Sequence, residues 1–188
     1  MAKIPPHAKK VFSGVIYDVY QWEQEQFDGT FQTFEMLKRP DTVVVIPLVG
    51  DKIYLQKEEQ PGHRPTIGVP AGRFEKDEQD PRAVAKRELL EESGYASDDV
   101  RLLRSHDHLG KVESTLHIFV AHNCLKVAEP NLDPGERIHE TMLVTFDEFL
   151  ELSQHPEFVK GHALELDCLK ARLDPEYKEI FRTAFFGV

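Results

Sequence analysis

The chain has 188 residues and a mass of 21.6 kDa, with 40% hydrophobic and 30% charged residues and a formal net charge of −10. That balance fits one globular unit around a single sizeable core, and the acidity argues against a nucleic-acid surface, which needs clustered Lys and Arg. No run reaches the roughly 18 apolar residues of a membrane helix, the basic opening "MAKIPPHAKK" leads into no apolar segment, and Cys124 and Cys168 stand alone without metal or disulfide spacing, so the expected location is a reducing cytoplasm.

From Val11, "VFSGVIYDVYQWEQ" alternates over several residues, and the Asp-Gly turn in "FDGT" joins it to "FQTFEML". This predicts an N-terminal antiparallel hairpin within about residues 1–40. Its aromatics, Trp22, Phe12, Tyr17, Tyr20 and Phe27, read as packing residues in preference to a platform for a nucleobase. "TVVVIPLV" is a buried strand that turns back through Gly50-Asp51 into "KIYLQKEE", and "TIGVPAG" is a short strand ending where a backbone must approach something closely.

A helix is expected from Asp80-Pro81 to Ser93, capped by Asp80 and ended by Gly94. Its wheel sets Ala85 and Leu89 against Ala83 and Leu90, which predicts protein on both flanks and the glutamates in the gap. "DVRLLRSHDHL" and "TLHIFVAHNCL" then read as strands, "MLVTF" as a shorter one, and "DEFLEL", "ALELDCLKARL" and "PEYKEIFRTAFF" as helices. The class is α+β with a mixed sheet, a core over about residues 41–150 and C-terminal helices over about 151–188.

The helix concentrates acid where it is least welcome. Glu88, Glu91 and Glu92 share one arc of its last turns. Repulsion between Glu88 and Glu92, added to the negative end of the helix dipole, costs about 1 to 3 kcal/mol, so positive charge is expected to offset it. The i+4 partners of Glu88 and Glu91 are Glu92 and Tyr95, not the Lys or Arg that would relieve a solvated acidic face. Magnesium, which takes hard oxygen ligands and commonly joins one or two carboxylates to substrate phosphates, fits such a cluster.

Read backwards from these glutamates, "GVPAGRFEKDEQDPRAVAKRELLEESGY" resembles the signature of the Nudix hydrolases through Gly72, Glu78, Arg87, Glu88, Leu89, Glu91, Glu92, Gly94 and Tyr95. Eight residues separate Glu78 from Arg87 where the family has seven. Gln79 takes the standard offset, and Glu78, Asp77 and Glu75 are the candidate carboxylates for bracing Arg87. The resemblance implies an α/β/α sandwich with a catalytic loop-helix-loop, and hydrolysis of a nucleoside diphosphate linked to another group. It implies Glu88, Glu91, Glu92 and the Ala71 carbonyl as ligands of Mg2+, or of Mn2+, with Arg87 orienting the carboxylates. "LDPGERIHETMLVTFDEF" resembles the later loop and strand of the ADP-ribose pyrophosphatase branch, making Glu136 the first candidate base and Glu140 the second. The hairpin and "VPAG" point to the same branch, which implies a homodimer through the N-terminal strands, a nucleotide-sugar type of substrate, and Glu35 and Gly72 among the substrate contacts. That branch has Gln-Tyr-Arg after its second core strand, whereas "KEEQPGHRP" puts Gln60 at the Arg position. Arg64 is then a candidate phosphate contact, beside the reading of a solvated loop arginine.

Three other features have plainer readings. His106 and His108 in "SHDH" share a strand face but lack a third ligand at a telling spacing, so surface histidines are expected. His117 and His122 read as packing residues, and Cys124 as a small buried side chain. The alternative function is a domain of the same fold that senses a nucleotide metabolite or binds a partner protein. Isomerisation of an isopentenyl-type diphosphate would need a cysteine before the motif, and both cysteines follow it.

Overall fold

The computed structural model describes residues 3–108, 110–158 and 164–187. Its centre is a mixed sheet ordered β13-β5-β4-β11-β9, formed by β4 (Thr42–Val49), β5 (Lys52–Glu59), β9 (Asp99–Asp107), β11 (Thr115–His122) and β13 (Arg137–Val144). The β4–β11 pair is parallel and its neighbours are antiparallel. Two short strands extend it: β6 (Thr66–Gly68) on β5 and β7 (Ala71–Arg73) on β4.

Strand alternation builds the sandwich. Val44, Ile46 and Leu48 of β4, with Ile118 and Val120 of β11, face one core, whereas Val43, Val45, Phe119 and Ala121 face another. The first core is covered by α2 (Phe146–Leu152), α3 (Glu165–Leu173) and α4 (Pro175–Phe186), the second by α1 (Pro81–Ser93) through Val84, Ala85 and Leu89. This is the expected α/β/α arrangement. Among the described residues, no helix is long and apolar enough to cross a membrane.

Several elements differ from expectation in instructive ways. The first expected strand is two, β1 (Lys9–Ser13) and β2 (Asp18–Glu25), because the chain reverses at Gly14, whose N–H donates to the Tyr17 carbonyl at 2.9 Å. With β3 (Phe31–Lys38) and the parallel β10 (Val112–Glu113), the hairpin becomes a four-stranded sheet. Trp22 is buried there and packs on Phe34 at 5.0 Å, whereas Phe12 and Phe27 are exposed. The "MLVTF" strand begins earlier, at Arg137, where pairing with β5 carries polar residues the apolar pattern misses, and Thr145 caps α2 instead of extending the strand. A last small pair joins β8 (Tyr95–Ala96) to β12 (Leu125–Lys126). Leu109 and Ala163, expected at the ends of a strand and a helix, lie outside the described residues.

Helix α1 has the expected bounds, with the Asp80 side chain accepting from the Arg82 N–H and Gly94 in the left-handed region at φ 67°. Its expected second flank is absent among the described residues: Ala83 and Leu90 are exposed. The buried face consists instead of the row Ala85–Leu89 and the parallel row Val84–Glu88–Glu92. The helix looks poorly amphipathic because two of the residues it buries are glutamates.

The Phe185 ring is fully buried and lies 5.6 Å from Phe146, 5.6 Å from Phe149 and 4.9 Å from Phe181. Phe185→Ala is expected to lower unfolding free energy by about 3 to 5 kcal/mol, read from urea denaturation, with activity per folded molecule retained. An unchanged midpoint would mean that α4 adds nothing to this core.

Candidate active site

β7 and α1 meet where the chain allows no side chain. A Cβ built on Gly72 would lie 1.8 Å from Glu88 Oε1, so glycine is required for the Glu88 carboxylate to rest against the strand. Glu88 and Glu92 are buried, and burial is the largest influence on Glu88, raising its carboxyl above the usual range against the pull of Arg87. Glu92 Oε2 accepts from the Ala71 N–H at 3.2 Å and from Gln56 Nε2 at 2.6 Å.

Arg87 supplies much of the expected positive charge. Its Nη1 lies 2.8 Å from Glu88 Oε1 and 2.9 Å from Glu91 Oε2, while Nε and Nη2 donate to the two oxygens of Glu78 at 2.9 and 3.0 Å. Glu78 is therefore the bracing carboxylate despite the longer loop. The additional residue is absorbed by a tight turn in which Asp77 adopts φ 82° and the Glu75 N–H donates to Glu78 Oε2 at 2.8 Å. Asp is among the side chains that best tolerate that conformation. Lys126 adds a second cation at the helix end, its Nζ donating to the Ser93 carbonyl at 2.9 Å. Gly94 is needed there on two counts, its positive φ and the Ala128 carbonyl oxygen 2.0 Å from where a Cβ would stand.

The three glutamates thus have separate settings. Glu91 is half-exposed on Arg87, Glu88 is wedged between Arg87 and Gly72, and Glu92 turns to β5 and β7. Among the described residues, no group of three acidic, histidine or cysteine side chains is poised as a preformed metal cage. Magnesium does not need one, since it retains waters and takes substrate oxygens beside one or two carboxylates. The donor chemistry, hard oxygens from two buried carboxylates beside an exposed third, fits a divalent ion.

Glu136 is brought to the same place. Together with Gln56, Glu58, Glu92, Leu132 and Ile138 it lines a narrow cleft with about 10 Å³ of free space, and its charge helps raise the Glu88 carboxyl. Glu140 is exposed on β13 opposite Lys57 and is not among the residues lining that cleft. Arg64 is exposed in the loop before β6. Glu35 is exposed on β3, where it accepts from Gln21 Nε2 at 2.7 Å, and the structure does not bring it to the glutamates. A larger cavity of about 600 Å³ lies between the N-terminal sheet and the motif loop, bordered by Lys38, Arg39, Asp41, Phe74 and Glu78 among others.

Two site residues escaped the sequence reading. Gln56 and Glu58 share a strand face with Tyr54, opposite Ile53 and Leu55, and all five are buried. The readable signal was the polar pair on alternate positions of a strand whose other residues belong in a core. Two of the plainer readings fit the structure: His122 is buried with Nε2 2.7 Å from the Phe185 carbonyl oxygen, and burial pushes the Cys124 thiol up to about 11, the wrong direction for a nucleophile, whereas His106, expected at the surface, is half-buried with its Nε2 enclosed.

The sequence matches the NUDIX domain family over residues 38–164. The chain belongs to the Nudix hydrolase family. This Nudix hydrolase is 31% identical over 153 residues to the ADP-ribose pyrophosphatase of Bacillus subtilis (strain 168), covering 79% of this chain and 82% of that protein. It is 29% identical over 147 residues to the methanol dehydrogenase activator of Bacillus methanolicus, covering 76% and 78%. A crystal structure of an ADP compounds hydrolase has a TM-score of 0.71 at 21% identity, covering 91% of this chain and 94% of that one, which is a likeness of fold. Within the family the likeness is to the ADP-ribose pyrophosphatase branch.

The Arg87 ion pair holds the Glu78 carboxyl below its usual range. The folded state then binds that proton less readily than the unfolded chain, so the pair stabilises above the ordinary carboxylate pKa of about 4.3 and its contribution fades as pH falls through the lowered value. Glu78→Gln is expected to be less stable than the parent at pH 7 and to converge with it in urea midpoints as pH falls through the lowered Glu78 value. Curves that run parallel at all pH values would rule out this ion pair as the source.

Proposed function

We propose that this Nudix hydrolase cleaves the pyrophosphate bond of a nucleoside diphosphate derivative, ADP-ribose or a nucleotide sugar, with Mg2+ as its metal ion and Mn2+ as a substitute. The reading is carried by one observation: buried Glu88 and Glu92 border β7 while Glu136, from a distant part of the chain, lines a cleft with Glu92. The ADP-ribose pyrophosphatase relative supports the choice of substrate.

Glu88, Glu91 and Glu92, with the Ala71 carbonyl, would hold the metal. When bound, a divalent ion neutralises charge on the phosphoryl oxygens as water attacks phosphorus. The remaining work falls to the chain. Arg87 spreads one positive charge over three carboxylates and fixes two of the ligands. Gly72 would let the diphosphate approach the strand, and Arg64, exposed in the loop before β6, is the proposed contact for a phosphate. Glu136 takes the proton of the attacking water, and Glu140 is the second candidate. Water adds across the P–O–P link, giving AMP and ribose 5-phosphate from ADP-ribose.

The same reading makes the protein a homodimer. Val11, Phe12, Val15 and Ile16 are exposed apolar residues on the edge strand β1 and the turn after it, and they are the proposed dimer contact. A partner seated there could bring its Glu35 toward the substrate. The location is the cytoplasm, consistent with Cys124 and Cys168 both free and buried.

Purified protein is expected to hydrolyse ADP-ribose only when Mg2+ or Mn2+ is present. Glu92→Gln should lower kcat at least about a hundredfold, and Glu136→Gln by a similar factor, while Glu140→Gln stays within about threefold. If no nucleoside diphosphate derivative is turned over yet one raises the melting temperature, the protein is a sensor and not a hydrolase of these compounds.

A further inference from the structure

We propose that Gln56 is a positioning residue that aims the Glu92 carboxylate and draws Glu58 to the same site, an inference that rests on the hydrolase reading above. Gln56 is 1% exposed in the middle of β5. Its Nε2 donates to Glu92 Oε2 at 2.6 Å and to Glu58 Oε2 at 3.1 Å, and its Oε1 accepts from the Tyr54 hydroxyl at 3.4 Å. With a donor at one end and acceptors at the other, only one orientation of the amide satisfies the group.

The chemistry of an amide suits this place better than that of a cation. Arg87 pairs with Glu78, Glu88 and Glu91 and neutralises charge as it orients them. Gln56 holds Glu92 and Glu58 by hydrogen bonds and adds no charge of its own. The Ala71 N–H and the Gln56 amide converge on one oxygen, Oε2, which sets the rotation of the Glu92 carboxylate. Each hydrogen bond described for the Gln56 side chain ends on another side chain of this group, so the amide serves no strand or cap. A buried amide is costly against an apolar residue of the same shape, and its return here is the placement of two carboxylates bordering the cleft that Glu136 also lines.

The test is Gln56→Met, similar in volume but without donors, with Gln56→Asn as a variant that keeps the amide and shortens its reach. Substrate-free protein is titrated with Mn2+ and bound metal is read by electron paramagnetic resonance. Kinetics with ADP-ribose and melting temperatures accompany each variant. Gln56→Met is expected to weaken Mn2+ binding at least about tenfold and to lower kcat by about 10 to 100-fold, as loss of an outer partner of a metal ligand does. KM should stay within about threefold, and Gln56→Asn should fall between the two. A folded Gln56→Met with parental Mn2+ binding and kcat overturns the proposal. If Gln56→Met does not fold, Gln56→Asn decides in the same way, and failure of both to fold makes the amide purely structural and also overturns it. A parent protein that binds Mn2+ but hydrolyses no nucleoside diphosphate derivative overturns the substrate reading alone, with Gln56 still decided by the Mn2+ titrations. A parent that binds no Mn2+ overturns both.

Discussion

The constraint on which the molecule turns is the burial of two carboxylates, Glu88 and Glu92, in the same helical row as Val84. Charge removed from water must be met by hydrogen bonds or by opposite charge. Each part of the surroundings answers that need. Gly72 leaves room, the Ala71 N–H and the Gln56 amide satisfy Glu92, and Arg87 pairs with Glu88. The position of β7 on β4, through Val43 opposite Gly72 and Val44 opposite Ala71, is what sets these backbone groups beneath the helix.

The acidic end of α1 is tolerated by two cations of different kinds. Arg87 lies within the helix and reaches three carboxylates, and Lys126 comes from β12 to meet the Ser93 carbonyl. Asn131 also donates its N–H to the Glu91 carbonyl at 2.8 Å, so the following loop closes over the helix terminus. Glu92 alone of the three glutamates is described with neutral donors, the amide of Gln56 and the N–H of Ala71.

The site depends on the sandwich for its precision. β4 carries Val43 and Val45 toward α1 and Val44 and Ile46 toward the C-terminal helices, so one strand is clamped by both cores. β5 is anchored in the first core alone, through Ile53 and Leu55, while Gln56 and Glu58 on its other face turn to the site. Side chains carried on packed strands are held more precisely than side chains on loops.

Local chemistry alone determined the helix and its punctuation: Asp80 and Pro81 at one end, Gly94 at the other, and three glutamates on one arc with Arg87 beside them. It also determined the buried strands β4 and β5, since long β-branched and alternating runs admit few other structures. What only the tertiary structure decided is how distant residues share one space. The choice of Glu78 over Gln79 as the brace for Arg87 rests on a turn with Asp77 at positive φ, which spacing does not reveal. The exposure of Ala83 and Leu90 and the meeting of Gln56, Glu58 and Glu136 with Glu92 follow from sheet order and register. Periodicity records which face a residue takes on its own element, whereas the partner across that face is set by strands many residues away.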